Sequence, residues 1–293
     1  MTRSRKKIIE DLNNAVIDYM KDYRGTRLAQ YFKSINNEII RHSGRLDRDA
    51  MRTIIDRHTE ELDISDLAVF GALLGVLTAI IKERRLTQKQ RTDYAPILGL
   101  LAIYDITSPK RFIDNVRKSM KSPKSANQRK AGGLINEYKD RASRTIERIA
   151  TKQRNDLIRA QRVSVFRKSR EINAHIERMT AEQKPFEMQQ RWLTRQYNAD
   201  RVIMRAVDTE IHANLETAKV EQAKFEGWTK KTWNTQGDDR VRKTRWHNWA
   251  ANKTIDIDDD FVLGKMKASA PGDMRLPPGE RINCRCYLVF SNS

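Results

Sequence analysis

Cysteine is almost absent from this chain of 293 residues: there are two, Cys284 and Cys286, one residue apart. That count excludes a disulfide framework. A bridge between the two would join side chains about 7 Å apart along a strand, at the limit of disulfide geometry. The thiols therefore read as reduced and the chain as intracellular in origin. A secretion signal is also missing, because the start Met1-Thr2-Arg3-Ser4-Arg5-Lys6-Lys7 is basic and lacks an apolar core. No apolar run reaches the roughly 20 residues that span a bilayer. Glycine-rich phosphate loops, zinc fingers and RNA-binding aromatic motifs are lacking too, so sequence-specific nucleic-acid readout has no support.

What the chain has instead is charge. Charged residues make up 32% and hydrophobics 39%, the balance of a helix-rich, strongly solvated protein with a modest core. Its formal net charge is +19, which points to polyanionic partners. Between Thr107 and Arg170 there are 19 Lys or Arg against five acids, a net +14 of that +19. This stretch reads as a solvated helix face or, given its concentration of charge, as a polyanion-facing surface open to backbone phosphates, with Arg111, Lys118, Lys121, Arg129, Lys130, Arg141 and Arg148 as the candidate DNA contacts.

Hydrophobic spacing predicts helices from Lys6 to about Gly227. Ile8, Leu12, Val16 and Tyr19 mark a first helix, stopped near Gly25. Leu28, Tyr31, Phe32, Ile35 and Ile39 mark a second, and Met51, Ile54, Ile55, His58 and Leu62 a third. The apolar segments Leu67 to Ile81 and Tyr94 to Ile106, joined by Lys82-Glu83-Arg84-Arg85, predict a buried helical hairpin at the centre of the N-terminal domain; membrane contact by this hairpin is the minority alternative. Ser108-Pro109 starts another helix. Ser122 to Gly133 reads as a hinge, followed by a long basic amphipathic helix that runs to Pro185, and a last helix spans about Ala199 to Glu226.

Beyond Gly227 the texture turns to β. Trp228 to Thr235 and Thr254 to Asp258 alternate, Gln236 to Asp239 reads as a turn, and Ala270 to Asp273 and Leu276 to Gly279 read as loops. The Cys-x-Cys segment reads as a strand with both sulfurs on one face. Trp228, Trp233, Trp246 and Trp249 are expected in the core of this small sheet. The fold class is thus mainly α. An N-terminal helical domain occupies 1–121, a hinge and long basic helix 122–198, and a small α+β module 199–293.

Four ordered blocks of that module resemble the phage Mu F-like minor head protein family, the phage head morphogenesis proteins. They are Asp208-Thr209-Glu210-Ile211-His212-Ala213-Asn214; Lys231-Thr232-Trp233-Asn234-Thr235 leading to Asp239-Arg240-Val241-Arg242; Pro271-Gly272-Asp273; and Ile282-Asn283-Cys284-Arg285-Cys286. The resemblance covers roughly Glu137 to Phe290. Family members place a histidine three residues after the Arg-x-Arg; here that position is Arg245, and His247 follows two positions later. The resemblance implies a minor structural protein of a tailed-phage capsid. Its partners would be the portal and inner capsid, double-stranded DNA bound non-specifically, and further copies of itself, with ejection alongside the genome an open outcome.

Several roles for these residues compete. Cys284 and Cys286 either anchor the core or, with His212 and His247, complete a Cys₂His₂ tetrahedron for structural zinc. An enzyme reading, a metal-dependent nuclease or toxin-like effector, would use Asp238, Asp239, Glu210 and His247 around a divalent ion. The favoured alternative is structural: Glu210 pairs with Arg240 or Arg242 and pins helix to sheet. Thr209, Glu210, Asp239, Arg240, Arg242, Asn283, Cys284 and Cys286 are then markers of the module, and no residue is catalytic.

Overall fold

The computed structural model describes residues 5–42, 47–62, 65–82, 86–236 and 245–292, leaving aside the side chains of 6, 21–26, 65, 66, 121, 168, 169, 245, 246 and 248. It is mainly helical, with a small antiparallel sheet in the C-terminal part.

At its centre lies α3 (Ser65–Lys82), whose Leu67, Ala68, Phe70, Ala72, Leu74 and Leu77 are buried on every side. A helix apolar all round needs cover from several directions. It receives it from α1 (Arg5–Arg41), α8 (Ser143–Ala181), α10 (Asp200–Phe225) and the strand β5 (Cys286–Ser291). The closest approach is to α10, and Gly71 makes it possible: a Cβ there would lie 2.3 Å from Ala218 Cβ. Around this centre stand α2 (Arg48–Glu60), α4 (Gln88–Asp93), α5 (Ala95–Ile103), α6 (Pro109–Lys121), α7 (Ala126–Arg141) and α9 (Phe186–Tyr197). One connected apolar core runs through all of it, from Leu12 to Phe290.

Four expectations for the helices need correction. The two helices expected around Gly25 are one, α1, of 37 residues. Met20 and Leu28 continue a single buried stripe, and packing along its whole length outweighs the roughly 1 kcal/mol that an interior glycine costs. The segment expected as a hinge is largely α7. Ser125 accepts from Gln128 N at 3.2 Å while the Gln128 side chain accepts from Ser125 N at 3.1 Å, a capping box that starts the helix inside the polar run. The two segments of the expected central hairpin are buried helices that touch, but neither is the other's main partner: α3 packs chiefly on α10 and α5 on α7; residues 83–85 lie outside the described set. The long basic helix expected after the hinge is broken at Ala142: Ile135 and Tyr138 belong to α7, and the rest is α8, 39 residues, or about 58 Å at 1.5 Å per residue.

In the C-terminal part, β1 (Lys230–Thr235) pairs antiparallel with β2 (Thr254–Asp256) on one side and β5 on the other, with Trp233 opposite Leu288 and Thr235 opposite Cys286. A second hairpin joins β3 (Phe261–Leu263) to β4 (Met266–Ala268). Two short helices complete the module, α11 (Arg245–Ala250) against β1 and β3, and α12 (Pro278–Arg281) just before the cysteines. Trp228 and Trp233 are buried as expected, but Trp249 is 48% exposed, because α11 turns that face to solvent. The Trp246 side chain lies outside the described set.

Candidate metal centre

The C-terminal strand begins at Cys286, so Cys284 precedes it. Asn283 adopts a left-handed backbone (φ +56°), and Cys284 N donates to Arg281 O at 3.1 Å. This turn, rather than strand alternation, aims the Cys284 sulfur toward that of Cys286. Both converge on His247 from α11. Its Nδ1 lies 3.0 Å from Cys286 Sγ and 3.9 Å from Cys284 Sγ. The histidine displaced in sequence thus reaches the cysteines in space. Among the described residues these three form the His, Cys, Asp or Glu group whose donor atoms converge, all within 4.8 Å.

That spacing can be weighed against a metal. A tetrahedral zinc with bonds of about 2.3 Å to sulfur and about 2.0 Å to nitrogen separates its N and S ligands by roughly 3.6 Å. The observed separations of 3.0 and 3.9 Å bracket that value. Bringing these two separations to it takes shifts of about half an ångström.

Electrostatics also prepare the donors. The hydrogen bond from Cys286 holds the Cys284 thiol well below its usual pKa, against burial, and His212 and His247 add to the effect. Cys286 moves the other way, raised by its bond to Cys284 and by burial. The two sulfurs therefore titrate as a pair, in which Cys284 is the readier to lose its proton. Burial works to lower the His247 pKa, but Cys284 and then Glu280 outweigh it and raise it. The Trp233 ring stands edge-on to His247 at 6.2 Å and closes the far side of the site.

His212, on α10, is 6% exposed, and both of its ring nitrogens lack a hydrogen-bond partner. It helps Cys284 toward the thiolate and faces the same cleft, about 380 Å³, that Cys284 and Cys286 line. His212 is near enough to Cys284 to favour its thiolate without an aligned hydrogen bond to it, so a ligand in this cleft would satisfy a buried imidazole. His247, Cys284 and Cys286 are thus placed to hold a metal, and His212 borders the same space.

The other markers meet nearby. Glu210 is buried and burial raises its pKa, while Arg281, 3.1 Å away, opposes the rise. Among the described residues its ion-pair partner is Arg281; Asp238, Asp239, Arg240 and Arg242 lie outside the described residues. Arg281 Nε also donates to Gly272 O at 3.0 Å. Gly272 (φ +81°) sits so close to α10 that a Cβ would come within 3.0 Å of Ala213 Cα, which is why the Pro-Gly-Asp loop has glycine there. Asp273 ties that loop by accepting from Ser269 N at 2.7 Å. Thr209 only bonds back to Arg205 O at 2.8 Å.

The candidate DNA contacts lie on α6, α7 and α8, away from this cluster. Arg111, Lys118, Arg129, Lys130, Arg141 and Arg148 are all exposed, and the Lys121 side chain is outside the described set. Arg141 is engaged by Glu137 and donates to Thr92 O at 2.9 Å. Arg148 lies 3.8 Å from Glu221.

Sequence reasoning missed Glu280. Its Oε2 lies 2.8 Å from His247 Nε2, yet it stands in a loop-like Pro-Pro-Gly-Glu-Arg run that carries no metal-site spacing. Comparison of the chain with protein-family models, with curated proteins and with solved structures gives no match.

Proposed function

We propose that this chain is a minor structural protein of a tailed-phage head, of the Mu F-like type. In this reading it docks on the portal inside the head and touches packaged DNA through its basic helices. The observation that carries the reading is the convergence of the resembling blocks on one network. The Thr209-Glu210 helix meets the Pro271-Gly272-Asp273 loop through Arg281. The Trp233 strand meets the Cys284-Arg285-Cys286 segment directly and through His247.

The same reading assigns structural zinc to the module. Thiolate and imidazole donors suit zinc and leave little for magnesium, which takes oxygen. Cys284, Cys286 and His247 would hold the ion, with His212 closing the fourth position and leaving none for water. Supporting the DNA contact are the six exposed basic residues on α6 to α8. Among the described residues no helix is long and apolar enough to cross a membrane.

Locating the chain in the assembled particle tests the proposal. Density at the portal, on the inner side of the head, is expected; a chain on the outer surface, or missing from the virion, overturns it. The DNA contact predicts retention on double-stranded DNA that falls steeply between 50 and 200 mM salt.

A further inference from the structure

We propose that Glu280 is the outer carboxylate of the metal centre: by holding His247 Nε2, it presents Nδ1 to the metal beside the two sulfurs. This rests on the zinc reading above and goes beyond it by naming the residue that orients a ligand.

Three observations carry it. First, the imidazole is bifacial, with Nδ1 3.0 Å from Cys286 Sγ and Nε2 2.8 Å from Glu280 Oε2. A histidine that binds metal through one nitrogen almost always gives its other N–H to a carboxylate, carbonyl or water, which sets the tautomer and the ring's direction. Second, this contact is sheltered: the Glu280 side chain is 16% exposed and the His247 side chain 4%. The two atoms are in ion-pair range at 2.8 Å without the alignment of a full hydrogen bond, and neither is hydrogen-bonded elsewhere, so nothing competes with Glu280 for that nitrogen. Third, α12 places the carboxylate by construction. The short helix starts at Pro278 and its next residue after Glu280, Arg281, is tied to Glu210 at 3.1 Å and to Gly272 O at 3.0 Å. With Arg281 anchored on α10, Glu280 is carried to the other side of the turn, against α11.

A contact that merely holds α12 in place would stabilise the metal-free fold. A positioning role instead shows in the metal. The experiment measures zinc affinity by chelator competition on the full chain and on Glu280→Ala and Glu280→Gln, alongside the melting temperature of each metal-free form. The absorption spectrum of each form carrying cobalt(II) is recorded as a report of ligand geometry. The proposal expects Glu280→Ala to weaken zinc 10- to 100-fold, with an altered cobalt spectrum and an almost unchanged metal-free melt. Glu280→Gln, which keeps an acceptor for the N–H but no charge, recovers part of the affinity. A wild-type chain that binds one zinc while both variants stay within about twofold of it overturns the role of Glu280. A wild-type chain that binds none overturns the zinc reading beneath it. Should Glu280→Ala not fold, the near-isosteric Glu280→Gln decides between the same outcomes.

Discussion

Lys219 on α10 is wholly buried, and its removal should unseat the helix that carries His212. Its Nζ donates to Glu216 Oε1 at 2.7 Å and to Asn13 Oδ1 on α1 at 3.0 Å, and it lies 5.9 Å from the centre of the Tyr287 ring. Glu216 in turn accepts from the backbone N of Leu288 at 2.9 Å, two residues beyond Cys286. One ion pair therefore joins α1, α10 and β5. Burial lowers the Lys219 pKa against the attraction of Glu216, the signature of a charge that only its partner makes tolerable. Lys219→Met leaves the carboxylate buried with one N–H for company, a change that costs about 3–5 kcal/mol. At an m-value of about 3 kcal/mol per molar urea, the unfolding midpoint falls by roughly 1 M or more. Adding Glu216→Gln removes the stranded charge yet keeps an acceptor for Leu288 N. The double variant should then lie only about 1–2 kcal/mol below wild type, chiefly through the lost bond to Asn13. Urea unfolding followed by tryptophan fluorescence across the four forms reads the coupling. If Lys219→Met stays within about 1 kcal/mol of wild type, or if the second substitution deepens the loss, the reasoning about the pair is wrong.

The helix contacts and the acid cluster at the end of α10 give two further tests. Gly71→Ala must push α3 away from Ala218 and should destabilise by about 1–3 kcal/mol. Gly75→Ala, one turn on, meets nothing closer than 3.4 Å and should be neutral or gain up to about 1 kcal/mol from helix propensity; thermal melts of equal sign and size would refute the packing argument. Glu226 is pushed up from 4.5 to about 7, by burial first and Asp93 in addition, with Tyr94 and Gln222 opposing. The folded state then binds the extra proton between those values, so stability is highest below pH 4.5 for this group and falls as pH rises toward 7, by at most about 3 kcal/mol. Glu226→Gln should flatten that slope in melts taken from pH 5 to 8, and a slope unchanged by the substitution would contradict it.

Much of this architecture is legible in the residues themselves. The stripe of Met51, Ile54 and Ile55, the Ser108-Pro109 start and Gly227 at the end of α10 each act locally, so their elements appear where spacing places them. What spacing cannot show is which helix covers which. The partnership of α3 with α10 depends on Gly71 meeting Ala218, a contact 147 positions apart, worked from 218 less 71. The continuity of α1 through Gly25 depends likewise on the packing of the whole helix. At the site, the cysteine pair was visible because two cysteines are so few. His247 was visible as a displaced family position, though only folding of α11 brings it to Cys286. Glu280 left no local trace, since a carboxylate acting through a histidine needs no fixed spacing to it.

The central claim is that the cysteines and histidines of the C-terminal module hold one metal ion. Native mass spectrometry of the zinc-equilibrated full chain tests it most directly. The account predicts a mass one zinc heavier per chain under non-denaturing conditions, lost on unfolding and absent from the Cys284→Ser, Cys286→Ser double variant. A folded wild-type chain that carries no zinc, or zinc that persists when both cysteines are replaced, would contradict it.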